Sequence, residues 1–272
     1  MKAIAVLSEG DEPVVIEKPR PEPAAGEALV RTLRVGVDGT DHEVIAGGHG
    51  DTPADDDHIV LGHEAVGVVE DPNDTPFDAG DVVVPTVRRP PNGANEHVAR
   101  GEPDRAPDGV YPERGSVGAP GFMAESFPRR GGFRGEIPRS RAGWGFLVEP
   151  ASTTEKAVEN AFASRSAFHW EPESALVLGN GALGLLTLAM LDPTFERTYC
   201  LGRRERPDPT IDVIESIGAT YVNSNDTDVP SVPDPTSRWT SSSRRPGTRR
   251  TPSRESRRSR PTGSLRCSAS PA

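Results

Sequence analysis

The stretch Ala175–Leu191, ALVLGNGALGLLTLAML, limits the fold more than any other part of this chain. Four apolar residues read as a buried strand. Gly179, Gly181 and Gly184 then spell G-x-G-x-x-G, and an apolar helix opens immediately behind them. The run is broken by Gly-Asn-Gly and is short for a membrane span. The next segment, RTYCLGRRERPDPTIDVIESIGATYVNS, reads as strand, loop, helix and strand. A βαβαβ order of this kind is the first half of a doubly wound nucleotide-binding domain. In such a turn the backbone N–H groups of Asn180, Ala182 and Leu183 can approach a pyrophosphate, and the helix N-terminus adds partial positive charge. The candidate cofactor residues are therefore Gly179, Asn180, Gly181, Ala182, Leu183 and Gly184.

The second strand of such a unit ordinarily ends in an acid that bonds the ribose hydroxyls of NAD. Here it ends LGRRERP. The guanidinium groups of Arg203 and Arg204 suit a 2′-phosphate, which favours NADP with NAD tolerated. The alternative is a pair of solvated arginines.

Upstream the texture is different. AIAVL, PVVIEK, EALVRTLRVGV, EAVGVVE and DVVVPTV are short, β-branched and separated by Gly, Pro and Asp turns, the pattern of a compact, mostly β domain. DGTDHEVIAGG interrupts it with a helix-start signal. A second helix with its own N-cap signature is expected at ASTTEKAVENAFASRS. Residues 88–115 are polar and rich in Pro and Gly, a long surface excursion of the kind that is uncommon unless functional. Within LGHEAVGVV, His63 and Glu64 stand between two glycines at the head of an apolar run. Adjacent imidazole and carboxylate groups suit a hard or borderline metal ion; a surface His beside a surface Glu is the plainer reading, and both stay open on the pair alone.

Charge separates two regions. The formal net charge is −10, but from Thr236 onward ten Arg and one Glu give +9, leaving −19 on residues 1–235. Lysine occurs only at Lys2, Lys18 and Lys156. Strong acidity with so little lysine fits a surface kept hydrated at high salt, and it argues against nucleic acid as a partner of the globular part. The N-terminal apolar stretch is too short for a signal peptide, and Cys200 and Cys267 cannot make a disulfide framework. A cytoplasmic protein with no membrane association is expected.

The motifs RVGVDGTDHEVIAGGHG, LGHEAVGVV, VVVPTVRRPP, GFLVEP and VLGNGALGLLTLAML occur in this order across residues 1 to about 235. Together they resemble the zinc-dependent medium-chain dehydrogenase/reductase family, and within it the branch of haloarchaeal glucose 1-dehydrogenases. The resemblance implies an α/β fold: a GroES-like, mostly β, zinc-binding catalytic domain over 1–155, then a truncated Rossmann domain over 156–235. It implies Zn²⁺ and NADP as cofactors and D-glucose oxidised at C1 to the lactone. Asp38 would take the position of the family's first zinc ligand, with His63, Glu64 and Glu149 as further ligands. Carboxylates and one imidazole can hold Zn²⁺ while leaving a coordination position open. Alternatively Asp38 makes a local Asx-turn and Glu149 caps the following helix. Thr40 would bond the reacting hydroxyl, His42 would belong to an outward proton path, and Glu113 and Glu149 would hold sugar hydroxyls. The excursion at 88–115 has no cysteine, so a structural zinc is not expected. Family members form homo-oligomers, which a truncated chain is not expected to do. Another polyol or alcohol dehydrogenase, or an inactive nucleotide-binding fragment, are the competing readings.

After Pro235 the pattern fails. Residues 236–272 are rich in Arg and Ser and show neither strand nor helix periodicity, where a Rossmann domain should deliver its fourth strand. An Arg/Ser-rich disordered tail is one reading; a reading-frame slip is the other. GC-rich codons permitted for RWTSSSRRPGT, read from the third base, encode Met-Asp-Phe-Val-Phe-Glu-Ala-Thr-Gly-Tyr, a buried strand ending in a glycine turn. The same offset through SRRSRPTGS permits Glu-Ala-Leu-Ala-Pro-Asp-Gly-Val. The Arg/Gly excess of residues 126–145 is a second departure and is compatible with a compensated local slip. A half Rossmann sheet would carry an open edge and an uncovered apolar face, so poor folding and little activity are expected of the chain as written.

Overall fold

The computed structural model describes residues 1–47, 50–88, 95–100, 102, 105, 107, 111–130, 135–167, 169 and 172–226, and the backbone alone of 264–268. Contacts divide the chain into two compact units, the first comprising Met1–Ser152 and the second beginning at Thr153.

The first unit is mostly β. Strands β1 (Lys2–Leu7) and β2 (Pro13–Glu17) pair antiparallel, and β1 also pairs with β4 (His58–Val60). A five-stranded sheet is ordered β10 (Glu136–Ile137), β6 (Val82–Val83), β5 (Ala65–Asp71), β3 (Glu27–Val35), β9 (Ser126–Arg130). Between its strands lie helix α1 (Gly39–Ile45), the single turn α2 (Glu96–Ala99), and the short pair β7 (Glu113–Arg114) and β8 (Gly118–Ala119). The sheet closes over a core of Ala28, Val30, Ala65, Val69, Phe77, Val83, Phe122 and Phe127. The two phenyl rings at 122 and 127 pack tilted at 4.7 Å between centroids, a favoured aromatic geometry. A smaller cluster joins Val44 of α1 to Val6, Ile59 and Leu61. Burying that valine is worth about 1.5–3 kcal/mol, and it seats α1 against the strand that leads into His63.

The second unit is a parallel sheet in the order β13 (Thr220–Asn223), β12 (Arg197–Gly202), β11 (Ser174–Leu178), β14 (Ser264–Ser268). Helices α4 (Ala182–Leu191) and α5 (Pro209–Ile217) make the crossovers. Leu188, Leu191 and Ile214 from these helices cover Ala175, Val177 and Cys200 of the strands. Helix α5 has complete end signals: Asp208 caps it by accepting from the Thr210 N–H at 2.8 Å, Pro209 opens it, and Gly218 ends it with φ 110°.

Three sequence expectations need correction. Helix α3 spans Val148–Ala163, so its first turn is Val-Glu-Pro and the Ser-Thr pair at 152–153 lies inside it. Pro150 is accommodated as the third residue of this helix, because first-turn N–H groups have no intrahelical partner to lose. The expected strand DVVVPTV shortens to Val82–Val83. The region read as lacking any strand contributes one: Ser264–Ser268 pairs parallel with β11, Ser174 opposite Ser264 through Leu178 opposite Ser268. The edge of β11 left open by a half-sheet is thereby hydrogen-bonded, since a ladder is built by backbone groups that every non-proline residue carries.

Candidate metal centre and nucleotide turn

In the first unit, Asp38 caps α1 and faces His63 at the same time. One oxygen, Oδ1, accepts from the N–H groups of Thr40 at 2.9 Å and Asp41 at 3.3 Å. The other, Oδ2, accepts from the Thr40 hydroxyl at 3.2 Å and lies 3.6 Å from His63 Nε2. The local-turn reading of Asp38 is thus realised on Oδ1, while Oδ2 faces His63.

Asp41, which the sequence pattern does not single out, closes the arrangement. Its carboxylate accepts from the Asp38 N–H at 3.2 Å, completing a capping box, and from the Gly62 N–H at 3.0 Å. Helix α1 is thus tied to the turn that presents His63 and Glu64. Asp41 is 1 % exposed, and burial pushes its carboxyl above the ordinary range. The D-G-T-D spacing is the available signal, legible as a capping box; its reach to Gly62 is not. Gly62, at φ 88°, makes the bend, and a Cβ there would crowd Val35 and Met123.

Ligand atoms of Asp38, His63 and Glu64 all lie within 4.8 Å of one another. His63 and Glu64 are each 8 % exposed. Burial, reinforced by Asp38, Glu149 and Asp41 against the pull of His63, pushes the Glu64 carboxyl up to about 7. Glu149, in the first turn of α3, falls outside the tight grouping but shares its field. Its carboxyl is raised by burial first, then by Asp38 and Glu113, while His63 and Arg88 draw it down. His63 Nδ1 is buried without a hydrogen-bond partner among the described residues. One imidazole nitrogen and converging carboxylates fit a borderline divalent ion such as Zn²⁺ with a position left open.

Of the other residues named from the sequence, Thr40 donates to Asp38. Glu113 accepts from Arg88 Nε at 2.9 Å, and the Arg88 guanidinium lies 5.0 Å from the Tyr111 ring centroid. His42 is exposed in the last turn of α1 and is not one of the grouped donors.

In the second unit the glycine turn has the required shape. Gly179 adopts φ 107°, and a Cβ on Gly184 would fall inside van der Waals contact of the Gly179 carbonyl oxygen and 3.0 Å from its carbon. Gly181 caps α4 with no side chain satisfying the first-turn N–H groups, so Ala182, Leu183 and Gly184 open a bare helix N-terminus. Asn180 Nδ2 is buried without a hydrogen-bond partner among the described residues, and Gly202 makes room for that side chain, since a Cβ there would lie 2.8 Å from Asn180 Cγ. Arg203 and Arg204 are exposed just past β12. They are not equivalent: Arg204 pairs with Asp208 at 3.0 Å, while its carbonyl accepts from the Tyr221 hydroxyl at 2.8 Å. These features fit a dinucleotide at the turn.

A carboxylate–imidazole donor cluster on a β domain, followed by a βαβαβ unit with a dinucleotide turn, is the layout of a metal-dependent nicotinamide dehydrogenase. Comparison with known proteins narrows the class. The family described as "Alcohol dehydrogenase GroES-like domain" matches residues 24–133, and "Glucose dehydrogenase C-terminus" matches residues 142–240. Glucose 1-dehydrogenase of Haloferax mediterranei is 68 % identical over 238 residues, which is 86 % of this chain and 67 % of that protein. Glucose 1-dehydrogenase of Haloarcula marismortui is 62 % identical over 234 residues, 86 % of this chain and 66 % of that protein. The solved structure of Haloferax mediterranei glucose dehydrogenase in complex with NADP, Zn and gluconolactone superposes with TM-score 0.81 at 67 % identity, covering 86 % of this chain and 66 % of that chain. The chain belongs to the glucose 1-dehydrogenase family, and it spans about two thirds of the length of the curated relatives it matches. Among the described residues no helix is long and apolar enough to cross a membrane.

Proposed function

We propose that this chain carries the metal-binding and nucleotide-binding parts of an NADP-preferring glucose 1-dehydrogenase, which oxidises D-glucose at C1 to gluconolactone. The single observation that carries this reading is the grouping of Asp38, His63 and Glu64 donors within 4.8 Å. Asp38, His63 and Glu64 would hold Zn²⁺, with Glu149 as a nearby or alternating ligand. Bound there, the ion is a Lewis acid that lowers the pKa of the sugar's C1 hydroxyl, and the nicotinamide accepts the hydride.

The chain's own residues do the rest. Thr40, whose hydroxyl lies beside Asp38, would hydrogen-bond the C1 hydroxyl and begin removal of its proton. Glu113, held by Arg88, and Glu149 accept from the remaining sugar hydroxyls. His42, exposed on α1, would be a member of the path by which the proton leaves to solvent. Gly179 to Gly184 take the pyrophosphate of NADP, and Arg203 with Arg204 takes the 2′-phosphate. The domains run 1–155 and 156–235. The acidic, lysine-poor composition and the paucity of cysteine support a salt-rich cytoplasm as the protein's location, and a small sugar would be its partner.

We also read residues beyond Pro235 as out of frame. The relatives are matched over only 234–238 residues, and the C-terminal family model stops at residue 240. The test is glucose-dependent NADPH formation at high salt on the chain as written and on a frame-corrected version, with zinc content measured on both. Turnover restored by frame correction, with glucose preferred over ethanol and sorbitol, supports both readings. Full turnover by the chain as written sinks the frame slip, and a preference for a polyol sinks glucose as substrate.

A further inference from the structure

The metal cluster has one member whose placement depends on a residue outside it. Glu64 heads β5, and its carbonyl accepts from the Gly36 N–H at 2.7 Å, so the end of β3 and the ligand turn are joined by backbone. This brings the Gly36 α-carbon against the Glu64 side chain. A Cβ at position 36 would fall inside van der Waals contact of Glu64 Oε2 and would lie 3.1 Å from Glu64 Cβ and 3.2 Å from Cδ. The backbone of Gly36 is not in the left-handed region, so conformational freedom does not explain a glycine here. What the glycine supplies is space, and the group filling that space is the carboxylate that converges with Asp38 and His63.

We infer that Gly36 is a positioning residue for the metal centre: the missing side chain at position 36 is the berth in which the Glu64 carboxylate rests beside Asp38 and His63. Any larger residue turns that carboxylate out of the berth. The overlap with Oε2 is relieved only by turning the carboxylate away, and the approaches to Cβ and Cδ ask the rest of the side chain to give by a few tenths of an ångström. The inference rests on the metal reading of this cluster and concerns residues of the first unit only.

The test uses the full chain at high salt with cobalt(II) as the probe, measuring affinity by chelator competition and the ligand field by the d–d absorption bands. Gly36→Ala is expected to weaken Co²⁺ by about 10–100-fold, the usual cost of disturbing a group that orients a ligand, and to alter the d–d bands. In a Glu64→Ala background, where there is no carboxylate to displace, Gly36→Ala should change affinity by less than about twofold, within the usual additivity of independent sites. A general structural defect would weaken binding equally in both backgrounds and would overturn the proposal. If Gly36→Ala alone fails to fold, the Gly36→Ala/Glu64→Ala pair should recover the native circular dichroism, because the overlap has been removed; failure of the pair as well overturns the proposal. Wild-type chain that binds no Co²⁺ removes the metal reading and this inference together. Wild-type binding with an unchanged Gly36→Ala variant removes this inference alone.

Discussion

The two units solve the same problem, holding a small charged group at the end of strands, by opposite means. In the first, specific side chains converge. Asp38 divides its two oxygens between a helix cap and His63, Asp41 ties the cap to Gly62, and Gly36 leaves room for Glu64. In the second, side chains are removed. Gly179, Gly181 and Gly184 bare the backbone, and the helix end supplies the field. The tight grouping of the first arrangement lies within residues 36–64, with Glu149 added from the start of α3. The second stands on a parallel sheet whose fourth strand comes from residues 264–268, beyond the last residue matched by its family model. A site made of neighbouring loops survives locally, whereas one built on a parallel sheet needs partners that arrive late in the chain.

The largest effect should come from His63→Ala. It removes the only nitrogen donor of the cluster among the described residues and leaves carboxylates that repel one another. Zinc or cobalt affinity is expected to fall by more than about 100-fold, beyond what loss of an orienting contact costs, while NADP binding to the second unit is unchanged. Chelator competition and nucleotide fluorescence titration measure the two independently. Equal loss of both would break the contrast between the units.

Gly184→Ala is the reciprocal change. Its methyl group meets the Gly179 carbonyl, and backbone cannot step aside as a side-chain tip can. NADP affinity is expected to fall about 10–100-fold, equivalent to about 1.4–2.8 kcal/mol, with the cobalt spectrum of the first unit preserved. An alanine variant that binds NADP as well as wild type would show that the turn is not the pyrophosphate site.

The metal-free first unit should respond to pH in the sense opposite to most acidic surfaces. Glu64, raised to about 7 from an ordinary 4.5 chiefly by burial, keeps its proton in the folded chain after the unfolded chain has lost it. Its contribution to stability is full below pH 4.5 and is lost as pH rises to 7, at a slope of at most about 1.4 kcal/mol per pH unit for one proton. Glu149 and Asp41, also raised by burial, push in the same direction. Urea midpoints in the presence of a chelator should therefore fall between about pH 5 and 7. Glu64→Gln should flatten the trend, and saturating Zn²⁺ should reverse it, because the ion binds the deprotonated group. A midpoint that rises with pH in the chelated protein would remove the crowded-carboxylate account.

Legibility in the sequence divides along the same line. Most of the N-terminal strands, the helix start at Asp38, the G-x-G-x-x-G turn and the His63–Glu64 pair are set by patterns a few residues long, and they appear where the sequence places them, apart from the shortened strand at Val82–Val83. Asp41 and Gly36 are not legible because their roles depend on which turn folds against them: the partner of Asp41 is 21 residues away, and that of Gly36 is a side chain in the turn that precedes β5. The start of α3 differs from the expected one because the Ser-Thr pair reads as a cap in one dimension, while Pro150 is an acceptable first-turn residue that lets the helix begin earlier. Strand β14 is invisible in the sequence because its neighbour β11, not its own composition, defines it as a strand.

The smallest effect separates two residues that look interchangeable in the sequence. Arg203 and Arg204 follow β12 together, yet Arg204 is already paired with Asp208, the cap of α5, at 3.0 Å. A 2′-phosphate approaching Arg204 must compete with that carboxylate, and an exposed pair of this kind is worth about 0.2–1 kcal/mol. Arg203→Ala should therefore lower the preference for NADP over NAD more than Arg204→Ala does, by about two- to fivefold in the ratio of dissociation constants. Asp208→Asn frees Arg204 and should strengthen NADP by a comparable factor. It also weakens the cap of α5, so the measured quantity must be the ratio of the two nucleotides and not the affinity of either. If Arg204→Ala proves the more damaging, the ion pair presents the guanidinium to the phosphate instead of competing for it, and the acid after β12 serves as a positioning group in the second unit much as Asp41 does in the first.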